Sequence, residues 1–140
     1  MFVLDTCTVS DFLKHIDTAL NQKILSFPPE RFFISVLTID EIEYGLARHP
    51  DKAKKYRPLI SAFLEHIGAS HILPVDAEIA ERSGKTRAAL GKNGLVVEQY
   101  DLLIGVTALV HQMTLVTSNI KHFKVIPELT VENWRLVQCH

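Results

Sequence analysis

At 140 residues the chain has room for one complete hydrophobic core and not for two. Its 47% apolar and 22% charged content excludes a disordered chain, and its formal net charge of −1 excludes a global field drawing it to nucleic acid or membrane. Any polyanion contact therefore has to come from a local basic face. No apolar run approaches the ~20 residues of a bilayer span, and no charged-then-apolar leader is visible. The two cysteines, Cys7 and Cys139, sit at opposite ends of the chain. The expectation is a protein of the reducing cytoplasm without membrane attachment.

Taken in chain order, the elements alternate. Phe2 to Leu4 reads as a short strand. Val9, Phe12, Leu13 and Ile16 follow at the spacing of one helix face, with Thr8 or Thr6 as a cap. A second helical piece, about Asp17 to Leu25, stops at "SFPPE", because Pro28 and Pro29 cannot continue it. "RFFISV" is an unbroken bulky run suited to a buried strand. "TIDEIEYGLARH" turns helical at Thr38, and Pro50 closes it.

Asp51 to Ile67 predicts a long amphipathic helix, with Tyr56, Ile60, Phe63 and Ile67 on its apolar side and Gly68 at its end. "HILPV" is a brief strand. Asp76 caps a helix that reaches about Leu90, before "GKNG". "YDLLIGVTALVHQ" is nearly all apolar, hence a buried helix. "MTLVTSN" and "LTVENW" supply the last strands. This alternation predicts an α/β protein, a three-layer α/β/α sandwich with a mostly parallel central sheet, as a single domain over residues 1–140.

Such sheets place their sites beyond the carboxyl ends of the strands. Asp5 follows the first strand, Glu41 lies one turn into the helix after "FISV", Asp101 opens the most apolar helix, and Asn119 follows the "TLVT" strand. Each has a purely structural alternative. Asp5 and Asp101 serve equally as helix caps, Glu41 as a first-turn charge on a helix dipole, and Asn119 as a turn residue. Together they point to carboxylates meeting at one edge of the sheet. Converging carboxylates repel one another unless a hard cation such as Mg²⁺ or Mn²⁺ lies between them. The chemistry implied is metal-assisted phosphodiester hydrolysis.

Four separated motifs, "LDTCTVSDFL", "SVLTIDEIEYGL", "YDLLIGVTALVHQMTLVTSNIKHF" and "VENW", resemble in this order the PIN-domain family, and within it the VapC-type toxins of bacterial toxin–antitoxin pairs. The resemblance implies a PIN-like fold and an endoribonuclease with Asp5, Glu41, Asp101 and Asn119 as catalytic residues. Asp5, Glu41 and Asp101 would bind Mg²⁺ or Mn²⁺, with Thr6 and Ser118 in support. Glu43 competes with Glu41 for the position ahead of Tyr44–Gly45.

The resemblance further implies a structured RNA substrate (tRNA or rRNA), products with 5′-phosphate and 3′-hydroxyl ends, a homodimer, and a VapB-type antitoxin. Two basic stretches are candidates for RNA contact. Lys52, Lys54, Lys55 and Arg57 form one; Arg82, Lys85, Arg87 and Lys92 form the other, which is closer in sequence to Asp101. The chain departs from the family at Cys7, where many members have Asn, at His122, where a Glu is frequent, and at Asn119, an amide rather than an acid. That amide keeps a second reading open, a PIN-fold RNA-binding or interaction module with weak or no catalysis. Other acid-led sites fit less well. A dehalogenase-type phosphatase needs a second acid where Cys7 stands, a receiver domain needs a late lysine, and a dinucleotide-binding domain needs GxGxxG.

Overall fold

The computed structural model describes residues 1–136, so Cys139 and His140 lie outside the described residues. Among those described, five strands form one sheet in the order β3–β2–β1–β4–β5, parallel at every pairing. They are β1 (Phe2–Leu4), β2 (Phe32–Ser35), β3 (Ile72–Leu73), β4 (Thr114–Val116) and β5 (Val131–Glu132). Central β1 pairs Val3 with Phe33 of β2 and with Leu115 of β4.

The chain moves outward from β1 to β2 and β3, then returns to add β4 and β5 on the other side. The direction of winding therefore reverses between β1 and β4. In open parallel sheets a crevice forms at that point, at the carboxyl ends of the strands.

Helices cover both faces. α1 (Thr6–Leu13), α2 (Thr18–Leu25), α3 (Val36–Arg48) and α4 (Pro50–Ile67) come before β3 or flank β2. α5 (Ala77–Lys92), α6 (Gln99–Val110) and α7 (Ile120–Phe123) come after it. Strand side chains alternate between the two layers. Val3 and Leu115 pack with Ile79, Leu90, Leu102, Val106 and Phe123. Leu4, Ile34 and Val116 pack with Val9, Leu20, Ile24, Phe63 and Trp134. Val3, Leu4, Ile34, Leu102 and Leu115 are all fully buried. Each such residue contributes about 1.5–3 kcal/mol of burial free energy. Among the helices, α6 is the most deeply seated. A Cβ built on its Gly105 would come within 2.7 Å of Ile126 Cδ1, so a larger residue there would force the Ile126 side chain to shift.

The predicted three-layer sandwich is present, and the sheet is parallel throughout. Three local expectations change. Of the caps offered for α1, Asp5 takes the place of Thr6 or Thr8, as its alternative reading had it, because its side chain accepts from the Thr8 amide. α3 starts at Val36 rather than Thr38, since the Ser35 hydroxyl accepts from the Leu37 amide and nucleates the turn earlier. Helix α7, a single turn, was not anticipated, being too short to show a period.

The aromatic end of the second core is closed by the C-terminal motif. Trp134 stacks on Phe27 with centroids 5.6 Å apart and meets Phe2 edge-on. Arg135, 12% exposed, reaches Asp11 at 2.7 Å, which fastens the last strand to α1.

Candidate active site

Asp5 is the first residue beyond β1. Its amide extends the β1–β4 ladder by donating to the Val116 carbonyl at 3.2 Å. Its side chain turns into the crevice between the two strands. Oδ1 accepts from the Thr8 amide at 2.8 Å and Oδ2 from the Thr117 hydroxyl at 2.5 Å. The residue is 4% exposed. Burial pushes its pKa upward, hydrogen bonds from Thr117 and Thr8 pull it back, and the Asp11 charge adds a further rise. Cap and site member are thus one and the same carboxylate.

Glu41 faces Asp5 from α3. Its Oε1 accepts from the Thr6 hydroxyl at 2.5 Å, and that hydroxyl lies 3.2 Å from Thr38 Oγ1. Thr38 and Glu41 are three residues apart, so they share one helix face. Desolvation raises the Glu41 pKa, the Thr6 bond lowers it, and the charges of Glu98, Asp5 and Asp40 raise it again. The competitor Glu43 points elsewhere, into a bidentate pair with Arg57 at 3.0 and 2.9 Å.

Asp101 does not cap α6. That role belongs to Glu98, whose Oε2 accepts from the Asp101 amide at 3.0 Å. Asp101 instead stands in the first turn with its side chain 27% exposed. Its pKa is pushed up to about 6, first by burial and then by the charges of Glu98, Glu41 and Asp5. His122 Nδ1, 3.7 Å from Oδ2, acts in the opposite direction.

Two members escaped the sequence reading. Glu98 is one, although an acid three residues ahead of Asp101 is the pattern of a side-chain cap. Thr117 is the other. It donates to Asp5 and accepts from the Asn119 amide at 2.9 Å, so it links strand end and turn.

The remaining expected residues are placed less tightly. Asn119 precedes α7 without a side-chain cap bond. Ser118 is 8% exposed, and its hydroxyl has no hydrogen-bond partner among the described residues.

The PIN domain family model matches residues 2–129. The chain belongs to the PIN domain family.

This PIN domain is 33% identical over 135 residues to Ribonuclease VapC2 of Rickettsia felis, across 96% of this chain and 98% of that protein. It is 27% identical over 133 residues to the tRNA(fMet)-specific endonuclease VapC of Salmonella typhimurium, across 95% and 97% of the two chains. Its fold superposes with a TM-score of 0.84 on a solved structure of VapBC2 from Rickettsia felis bound to a DNA fragment from their promoter. Sequence identity there is 28%, with 95% of this chain and 98% of that one covered.

The PIN domain therefore carries four acids at this edge, Asp5, Glu41, Glu98 and Asp101, with the charges of Asp5 and Glu98 raising the pKa of both Glu41 and Asp101. Among the described residues none of them is paired with a lysine or arginine, and the one imidazole nearby, His122, carries charge only when protonated. Such a hard-oxygen set, short of positive charge, fits a divalent cation of the Mg²⁺ type. As placed, no three His, Cys, Asp or Glu side chains among the described residues are gathered closely enough to hold one ion directly. Mg²⁺ commonly keeps several waters and takes only one or two carboxylates directly, which accommodates that spacing.

The α5 cations Arg82, Lys85 and Arg87 are engaged, and Arg87 reaches the start of α6 beside Glu98. Arg82 pairs with Glu128 at 3.2 Å and Lys85 with Glu81 at 2.9 Å, while Arg87 donates to Gln99 Oε1 at 2.8 Å. No helix among the described residues is long and apolar enough to cross a membrane.

Proposed function

We propose that this PIN domain is a Mg²⁺- or Mn²⁺-dependent endoribonuclease toxin of the cytoplasm that cuts structured RNA and is restrained by a VapB-type antitoxin. The observation that carries the reading is the set of mutually repelling acids at the β1/β4 crevice, with Asp101 held protonated up to about pH 6. Proteins keep such a cluster for a cation, since as a purely structural feature it costs stability. The names of the relatives, ribonuclease and tRNA(fMet)-specific endonuclease, support RNA as the substrate class. The VapBC complex among the structural neighbours supports an antitoxin partner.

Asp5, Glu41 and Asp101 would hold the ion, in part through its waters, with Glu98 adding charge and Asn119 offering an amide oxygen at the same edge. When bound, the cation supplies positive charge against the scissile phosphate and makes water more acidic. Thr117 and the Thr8 amide fix the Asp5 carboxylate, and Thr6 fixes Glu41, so the donor oxygens are oriented before RNA arrives. Below about pH 6 a bound cation would have to displace the Asp101 proton, so binding would be coupled to pH.

The test is cleavage of a tRNA or an rRNA hairpin by purified protein, with EDTA and then with added Mn²⁺. Asp5→Asn and Asp101→Asn should each abolish the metal-dependent cutting. Undiminished cutting by either removes that residue from the site. Binding without cutting by the wild type at saturating Mn²⁺ favours the interaction-module reading, to which the amide at Asn119 would contribute.

A further inference from the structure

A groove of about 320 Å³ opens directly from the acid cluster, since Thr6 and Glu41, which hydrogen-bond to one another, form one of its walls. Away from the acids its character reverses. Lys14 at the end of α1, together with Lys52 and Tyr56 of α4, lines the far side. The Lys14 ammonium sits 5.3 Å from the centre of the Tyr56 ring. Neither Lys14 nor Lys52 makes an ion pair among the described residues. Just beyond, Lys55 adds a third ammonium, against the single carboxylate of Asp51.

Resting on the ribonuclease reading above, we propose that this groove seats the RNA strand beside the cleaved bond, with Lys14 and Lys52 each holding one phosphate. A polyanion fits this polarity. Its scissile phosphate belongs at the acid end, where the cation proposed above would sit, and the next phosphates belong at the unpaired ammoniums. The α5 cations Arg82 and Lys85 are less suited, because RNA would first have to displace Glu128 and Glu81. The floor leaves room for a strand: Gly45 of α3 lines the groove, and a Cβ there would meet no atom within 4 Å.

The test measures binding of a labelled RNA hairpin to Asp5→Asn protein over a salt series, beside cleavage by the otherwise wild-type chain. Adding Lys14→Ala and Lys52→Ala should weaken binding about tenfold and lower the slope of log affinity against log salt by about 1.4, at about 0.7 per lost contact. Gly45→Leu, which leaves every charge in place, should weaken binding with the slope unchanged. Wild-type affinity and slope in the lysine variant would overturn the proposal. So would a larger loss from Arg82→Ala with Lys85→Ala. Unchanged RNA binding together with weaker capture by the antitoxin would also overturn it and assign the lysines to protein docking. If the hairpin binds through the lysines but the wild-type chain never cuts it, the groove stands and the catalytic reading fails.

Discussion

The hydroxyl of Thr117 donates to Asp5 Oδ2 at 2.5 Å, across the seam where β4 lies beside β1. This bond holds a buried carboxylate in place, and its loss leaves an acceptor without a donor. Thr117→Val keeps the shape and removes the hydroxyl. It should cost about 1–3 kcal/mol of stability, measured by urea unfolding, and raise the pKa of Asp5 further.

Asp5 does two things that substitutions can separate. In Asp5→Asn the amide oxygen still accepts from Thr8, so the cap survives and stability stays close to wild type. Asp5→Ala removes the cap and should lose about 1–2 kcal/mol by the same unfolding measurement. Both variants should be inactive in metal-dependent cleavage. A large stability loss in Asp5→Asn would show that charge, rather than the cap, holds this corner together.

Asp101 predicts a pH dependence of known sign. The unfolded chain releases this proton near the ordinary value of 3.8, whereas the folded protein keeps it to about pH 6. The folded state thus binds more protons in between, and the stability from this group is lost as pH rises through that window. Asp101→Asn escapes the loss. In metal-free buffer it should match wild type near pH 4 and exceed it by about 1–2 kcal/mol above pH 7, after discounting for solvent screening. Melting curves at the two pH values check this. Added Mn²⁺ should reverse the order, because it stabilises the form that binds it.

Glu98 combines a cap with a charge. Glu98→Gln keeps an oxygen for the Asp101 amide and removes the charge that raises the Asp101 pKa. The acidic limb of Mn²⁺ binding, followed by calorimetry, should move to lower pH. Glu98→Ala should show the same movement and in addition lose about 0.5–2 kcal/mol of stability. An unmoved limb in both would remove Glu98 from the electrostatics of the site.

Much of this architecture is readable in the residues, for reasons that also explain the misses. The alternation of short apolar runs with amphipathic stretches reports the parallel sheet directly, because each crossover must bury one face of a helix. Asp5, Glu41 and Asp101 stand out because an acid at a strand end or in an apolar helix needs a reason. Glu41 and Glu43 are separable only through α3's partners: Thr6 lies on one side of the helix and Arg57 on the other. Glu98 and Thr117 stay hidden because their roles are contacts with residues already chosen, and a hydroxyl after a strand is unremarkable alone. The α5 cations show what sequence distance leaves out. Nearness in sequence to Asp101 recommended them, yet Arg82 and Lys85 are satisfied by Glu128 and Glu81.

The partners in the Thr117–Asp5 bond are 112 positions apart. During synthesis the central strand and its acid are made well before Asp101 and β4. A nascent chain therefore carries no assembled centre until β4 has been made and has paired with β1.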